Sequence, residues 1–339
     1  MTIMAQEIAS IPDVVAEQIR QTLPLYLEQG EQLARLDPPC LITCARGSSD
    51  HATLYFKYLV ESQLGVPVCS MGPSIASIYD QGLATKKAVF LAVSQSGGSK
   101  DIAALCNKAT ESGLTTIALV NEKQSLLGST AKRVLPLQAG KEQAVAATKS
   151  FVCSLVALAS IYAGWRKDKA FIDALTALPD ALERSLACDW QSGLEALTAV
   201  KGLFVISRGP GYAIAQEAAL KFKETCGLHA EAFSAAEVRH GPIALAQSNF
   251  AALCFASRDK AGPGIEETVG HLRDAGIQTL QTGFDQVDNA TLPVASASHI
   301  LLDPICHITS FYKAVEQLTV RLGTNPDAPA HLSKVTVTL

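Results

Sequence analysis

Pro39-Cys40-Leu41-Ile42-Thr43-Cys44, which runs into Ala45-Arg46-Gly47-Ser48-Ser49, returns about 162 residues later as Leu203-Phe204-Val205-Ile206-Ser207, which runs into Arg208-Gly209-Pro210-Gly211. Each copy is a short apolar run that stops at a turn of small residues. Helical patterns follow, from about His51 to Leu64 and from Tyr212 to Cys226. Val89–Ser94 likewise matches Ala252–Ser257, and Glu111-Ser112-Gly113-Leu114 matches Asp274-Ala275-Gly276-Ile277, both at an offset of 163. Three correspondences at nearly one offset predict two homologous halves. Within each half, β-branched runs alternate with helical periods, as in Thr115–Val120 after Asp101–Ser112. Such alternation builds parallel sheets covered by helices on both faces. The expected fold is therefore α/β, with two doubly wound, flavodoxin-like parallel-sheet subdomains. The expected boundaries are a helical segment over 1–36, a first subdomain over 37–186, a second over 187–322, and a tail over 323–339. Thr148 to about Leu186 reads as helices, and a last helix is expected from about Thr309 to Leu322.

In open α/β sheets ligands bind beyond the carboxyl ends of the strands, where the connection order reverses. At such an end stands Ser94-Gln95-Ser96-Gly97-Gly98-Ser99. A strand that feeds a hydroxyl- and glycine-rich turn at a helix start gathers free backbone N–H groups, hydroxyls and the positive end of a helix dipole. This is a phosphate cradle. It lacks the lysine of a GxxxxGK[ST] loop and so suits a small phosphorylated metabolite better than a nucleotide polyphosphate. Taken alone, the six residues also fit an ordinary βα turn. Ser48 and Ser49 sit at the neighbouring strand end, where they are expected to contact ligand or to cap the following helix.

Composition bounds the rest. The 339 residues, 48% hydrophobic and 18% charged, describe a compact protein, and a net charge of −4 offers no footprint for nucleic acid. Nine scattered cysteines without CxxC pairs or zinc-type spacing read as reduced thiols, mostly in the core, in a cytoplasmic protein. Met1–Pro12 has no signal-peptide core, and Phe151–Trp165 is too short for a membrane span and reads as a buried helix. No metal, redox cofactor or membrane partner is expected.

The second half carries acid/base residues. In Gln216-Glu217-Ala218-Ala219-Leu220-Lys221-Phe222-Lys223-Glu224, helical spacing places Glu217, Lys221 and Glu224 on one face. A carboxylate beside a lysine suits proton transfer at a carbon next to a carbonyl, although a surface charge pair has the same spacing. His229, Glu231, Glu237 and His240 follow in a polar stretch that ends in Arg239-His240-Gly241-Pro242. A histidine held by a Gly-Pro turn is a candidate general acid or base. His51, His271, His299, His307 and His331 show no partner pattern and read as structural or surface.

These segments together resemble the sugar isomerase (SIS) family. Within it the chain is most similar to the isomerase half of glucosamine-6-phosphate synthase and to SIS-type glucosamine-6-phosphate deaminases. The likeness rests on Ala45–Ser49, Ser94–Gly97, Glu142 with Ala147-Thr148-Lys149, Glu217–Glu224, His229–Ala232, Glu237–Pro242 and the tail Asn325–Val337, and it covers nearly the whole chain. The resemblance implies that Ser94, Gln95, Ser96 and Ser99 bind a sugar phosphate, with Ser48, Ser49 and Ala147 beside it. It implies Glu224 as the base that moves a proton between C1 and C2, with Lys221 next to it. His240 would assist ring opening from a neighbouring subunit, and Lys334 would form a Schiff base with the open-chain ketose. A homodimer with a shared active site follows from that pattern. The chain departs from the synthase at Arg46 for Cys, Gly98 for Glu and Ala147 for Ser.

The synthase draws ammonia from a glutaminase domain with an N-terminal cysteine, whereas this sequence begins Met1-Thr2-Ile3-Met4. The expectation is deamination of glucosamine 6-phosphate to fructose 6-phosphate and ammonia, without glutaminase activity. Alternatives are an aldose/ketose phosphate isomerase and another amino-sugar phosphate deaminase or deglycase. A further one is a non-catalytic sugar-phosphate sensor, which would need a helix-turn-helix domain that the sequence before Leu41 has no room for.

Overall fold

The computed structural model describes residues 1–85, 87–245, 249–284 and 290–334, so Val335–Val337 of the tail lie outside the described residues. Two helices open the chain, α1 (Ile3–Ala9) and α2 (Ile11–Leu36). A first alternating run follows: β1 (Leu41–Cys44), α3 (Ser48–Leu64), β2 (Val68–Ser70), α4 (Ser74–Ser77), β3 (Val89–Ser94), α5 (Lys100–Glu111), β4 (Thr115–Val120), α6 (Leu126–Thr130) and β5 (Arg133–Pro136). Helices α7 (Lys149–Arg166), α8 (Lys169–Thr176), α9 (Leu178–Ala187) and α10 (Gln191–Glu195) come next. The second run is β6 (Gly202–Ser207), α11 (Gly211–Lys221), β7 (Ala230–Ser234), β8 (Phe250–Cys254), α12 (Gly262–Asp274), β9 (Gln278–Gly283), β10 (Thr291–Pro293) and α13 (Asp303–Arg321).

Two five-stranded parallel sheets result, with strand orders β2-β1-β3-β4-β5 and β10-β9-β8-β6-β7. Read from the other edge, the second repeats the first. The tip pair Cys44–Ala92 of β1 and β3 recurs as Ile206–Cys254 of β6 and β8, 162 positions on along each strand. Every residue of β3 and β6 is buried, as expected where helices cover both faces. Each sheet has its own core: Ile42, Phe90, Ile102, Leu105 and Ala118 in one, Phe204, Ile206, Ile265, Val269 and Leu272 in the other.

The chain divides into two compact units, one per sheet. The first comprises Asp13–Glu142, Lys149–Thr176 and the described end of the tail, Ser333 and Lys334. The second comprises Met1–Pro12, Gln143–Thr148 and Ala177–Leu332. In the first unit α5 buries Ile102, Leu105, Cys106 and Ala109 on one stripe and ends at the left-handed Gly113 (φ +87°). Helix α7 is the expected buried helix. It packs backbone to backbone on α2, since a Cβ on Gly30 would lie 2.1 Å from the Ile161 carbonyl oxygen and one on Gly164 2.2 Å from that of Leu27. In the second unit the Asp327 carboxylate accepts the backbone N–H groups of Ile3 and Met4 (2.9 and 2.7 Å), and Glu7 accepts that of Gln143 (2.6 Å). Three separate stretches of sequence are thereby tied together.

Four expectations are corrected. Helix α3 begins at Ser48, and its N-cap is Gly47, which makes no side-chain cap bond, so neither Ser48 nor Ser49 caps it. Helix α13 begins at Asp303 rather than Thr309, because Pro304 at its start fits a first helical turn. The polar stretch after His229 contains a strand, β7, which pairs with β6 from Ala230 to Ser234. As an edge strand it tolerates the exposed Glu231. Strand β8 ends at Cys254, before the Ser257 limit expected from the repeat. The chain turns there because the Asp259 carboxylate accepts from the Ser257 hydroxyl (2.8 Å) and the Ala261 N–H (2.7 Å).

Candidate active site

In the first unit, pairing of β1 with β3 sets the loop Ala45–Ser49 beside the turn Ser94–Ser99 at the point where the strand order reverses. The turn is folded on its own hydroxyls. Ser94 Oγ accepts the Gly97 N–H (3.1 Å) and Ser96 Oγ accepts that of Gly98 (3.2 Å). Gly97 has φ +63°, and a Cβ there would fall 2.0 Å from Ser125 Oγ, so only glycine fits. The Gly97 carbonyl in turn accepts the Leu127 N–H (2.9 Å), which fixes the back of the turn. Ser99 is the N-cap of α5, yet its side chain makes no capping bond. In the same first turn the Asp101 carboxylate accepts the Ile102 N–H (2.8 Å).

The second repeat places its corresponding turn, Ser257-Arg258-Asp259, at the start of α12 but closes it with the Asp259 carboxylate. Arg258 is turned away as well, donating to Asp303 through Nε (2.7 Å) and Nη2 (2.7 Å). A carboxylate occupies the position an anion would take. The two repeats share a backbone plan, but the first turn folds on the hydroxyls of Ser94 and Ser96 and the second on the Asp259 carboxylate.

The second unit holds the acid/base cluster. Lys221 and Glu217 are fully buried, which rules out the surface-pair reading. Lys221 Nζ lies 3.2 Å from Glu217 Oε1 and 2.5 Å from Glu224 Oε2, and the Tyr312 hydroxyl donates to Glu217 Oε1 (2.9 Å). Burial alone would depress the Lys221 pKa, but the two carboxylates outweigh it and hold the ammonium protonated well above its usual range. After α11 the chain widens into a π turn, Phe222–Cys226, closed by the left-handed Gly227. Such turns recur at functional positions. Glu224 lies on it with its side chain 22% exposed, the one member of the cluster open to solvent.

His240 ends a short 3-10 turn, Glu237–His240, and is exposed. It lines a cavity of about 380 Å³ with Arg208, Arg239, Glu267 and Thr268. Lys334 belongs to the first unit, where its Nζ donates to Glu142 Oε2 (2.8 Å). The Glu142 side chain is fully buried and also accepts the N–H (3.1 Å) and Oγ (2.7 Å) of Ser150 in the first turn of α7. The sequence quoted Glu142 without a role, and its place as the partner of Lys334 was legible only in three dimensions. The same holds for Tyr312. Ala147, half-buried in the segment Gln143–Thr148, belongs to the second unit. Among the described residues no His, Cys, Asp and Glu group has the form of a metal site, and no helix is long and apolar enough to cross a membrane.

Two repeats of one open α/β plan define a class, and the sequence matches the SIS domain over residues 39–163 and 196–301. The chain belongs to the SIS family. It is 30% identical to the glutamine–fructose-6-phosphate aminotransferase (isomerizing) of Methanothermobacter thermautotrophicus, over 90% of this chain and 52% of that protein. The chain thus spans about half the length of the curated relatives it matches. A crystal structure from Silicibacter pomeroyi, provisionally named a phosphosugar isomerase, superposes with TM-score 0.92 at 39% identity over 96% of this chain and 100% of the other. The glucosamine-6-phosphate deaminase of Thermotoga maritima has the same fold, with TM-score 0.79 over 99% of this chain and 100% of that one, at 18% identity.

Proposed function

We propose that the chain is a phosphosugar enzyme that moves a proton between C1 and C2 of a hexose 6-phosphate, with glucosamine 6-phosphate as substrate and ammonia and fructose 6-phosphate as products. The observation that carries this reading is the buried Lys221 ammonium clamped between Glu217 and the part-exposed Glu224. A carboxylate fixed in place by a buried cation and open to solvent on one side is positioned to reach a substrate carbon.

In this reading Ser94, Gln95, Ser96 and Ser99 hold the phosphate, with Ser48, Ser49 and Ala147 beside the sugar. His240 assists ring opening. Glu224 takes the proton from C2 of the open-chain aldehyde, leaving an enolamine, and returns it to C1 to give the 2-imine. Water adds to the imine and ammonia leaves, yielding the ketose. Lys221, saturated by two carboxylates, positions Glu224 and does not itself attack carbon. Lys334 is the amine suited to exchange onto C2, because an iminium is a better electron sink than a carbonyl. Glu142, already its ion-pair partner, would face that iminium. The exposed His240 fits a shared active site in a homodimer.

The test incubates the protein with glucosamine 6-phosphate and assays ammonia together with fructose 6-phosphate. Both should appear in equal amounts. If neither appears while glucose 6-phosphate and fructose 6-phosphate interconvert, the enzyme is an aldose/ketose isomerase and the deaminase reading fails.

A further inference from the structure

Arg46 is the residue at which this chain departs from the synthase in the first loop, and the structure gives it a partner that a cysteine would not need. Its guanidinium donates to Asp101 Oδ2 through Nε (2.8 Å) and through Nη2. Asp101 is the second residue of α5, its side chain is fully buried, and its Oδ1 accepts the Ile102 N–H (2.8 Å). Arg46 is 47% exposed by contrast. Its side edge is therefore fixed to the first turn of α5, while nearly half of the side chain stays exposed. Arg46 lies two residues beyond Cys44 and Ser94 two beyond Ala92, and Cys44 and Ala92 are register partners on adjacent strands. Strands so paired run about 5 Å apart. Asp101 follows the N-cap Ser99 by two residues, so the anchored guanidinium stands at the helix start into which the Ser94–Ser99 turn leads.

We propose that Arg46 is a phosphate-reading residue of this enzyme, resting on the phosphosugar assignment above: its end-on edge grips two oxygens of the 6-phosphate while Asp101 holds the side edge in place. A planar fork can serve a carboxylate on one edge and a phosphate on another, which a lysine cannot. The serine hydroxyls of the turn carry no charge, so Arg46 supplies the cation that separates a sugar phosphate dianion from the unphosphorylated sugar.

The test measures binding of glucitol 6-phosphate and of glucitol by calorimetry to the parent protein and to Arg46→Gln, Arg46→Lys, Asp101→Asn and the double variant Arg46→Gln/Asp101→Asn. The parent should prefer the phosphate ester strongly, and Arg46→Gln and Arg46→Lys should each weaken that binding about tenfold to a hundredfold, as for a lost charged hydrogen bond. The double variant separates a direct contact from charge compensation. If Arg46 grips phosphate, removing Asp101 as well leaves binding weak. Full recovery in the double variant means that Arg46 only neutralises Asp101 and overturns the proposal, as does unchanged affinity in Arg46→Gln. No preference for the phosphate ester in the parent protein overturns the phosphosugar reading itself and the role of Arg46 with it.

Discussion

Lys221 shows how burial changes the meaning of a side chain. Spaced along a helix with two glutamates, it had the pattern of a surface pair worth tenths of a kcal/mol. Buried, it becomes a cation without which the carboxylate of Glu217 is left in the protein interior with no countercharge from Lys221. Lys221→Met should therefore cost about 3–5 kcal/mol of stability in urea unfolding, as for a broken buried pair. Adding Glu217→Gln should recover part of that loss. Glu224→Gln removes a part-exposed group and should leave stability nearly unchanged while lowering kcat about 10²- to 10⁴-fold in the coupled ammonia assay. The positions of Glu217, Lys221 and Glu224 were legible in the sequence from their 3.6-residue period. Their burial was not, because it depends on α13, whose Tyr312 lies 95 residues away.

At the scale of the element, helices are placed by what their faces meet. His307 on α13 stacks on Phe255 (6.1 Å) and meets Phe284 at a tilt (5.5 Å), and its Nε2 has no hydrogen-bond partner among the described residues. Burial, reinforced by the nearby Arg258 cation, pushes its pKa down to about 3. The unfolded chain binds this proton below its ordinary pKa of about 6.5 and the folded chain does not, so stability is intact above pH 6.5 and drains away as the pH falls toward about 3. Relative to His307→Leu, the parent should lose about 1.4 kcal/mol per pH unit across that window in denaturant titrations. The backbone contact of α2 with α7 makes a second prediction. Gly164→Ala places a methyl 2.2 Å from the Leu27 carbonyl oxygen, so the helices must part and about 1–3 kcal/mol should be lost in thermal unfolding. The sequence marked α7 as buried by its apolar run but held no mark of the glycine contact, which depends on the crossing of two distant helices.

Across the whole molecule, the repeat explains why one chain carries two similar strand-tip turns with different fates. One folds on the hydroxyls of Ser94 and Ser96 and the other is closed by its own Asp259. The proposed sharing of His240 between subunits is checked by mixing. Inactive Glu224→Gln and inactive His240→Ala subunits, once mixed, should regain part of the parent activity, and no recovery after verified exchange removes the shared site.

The sequence by itself determined the two-repeat architecture, the parallel sheets covered by helices, the hydroxyl- and glycine-rich turn at Ser94–Ser99 and the helix face that carries Glu224. These are properties of short windows and of one periodic offset, so a linear reading holds them. Only the tertiary structure decided that Lys334 meets Glu142, 192 residues away, that Arg46 meets Asp101, and that Asp327 meets the N-terminal helix. It also decided which side chains close each of the two turns. Such pairings arise when buried charges must find partners wherever the packed backbone brings them, and nothing in the local pattern of either partner encodes the other.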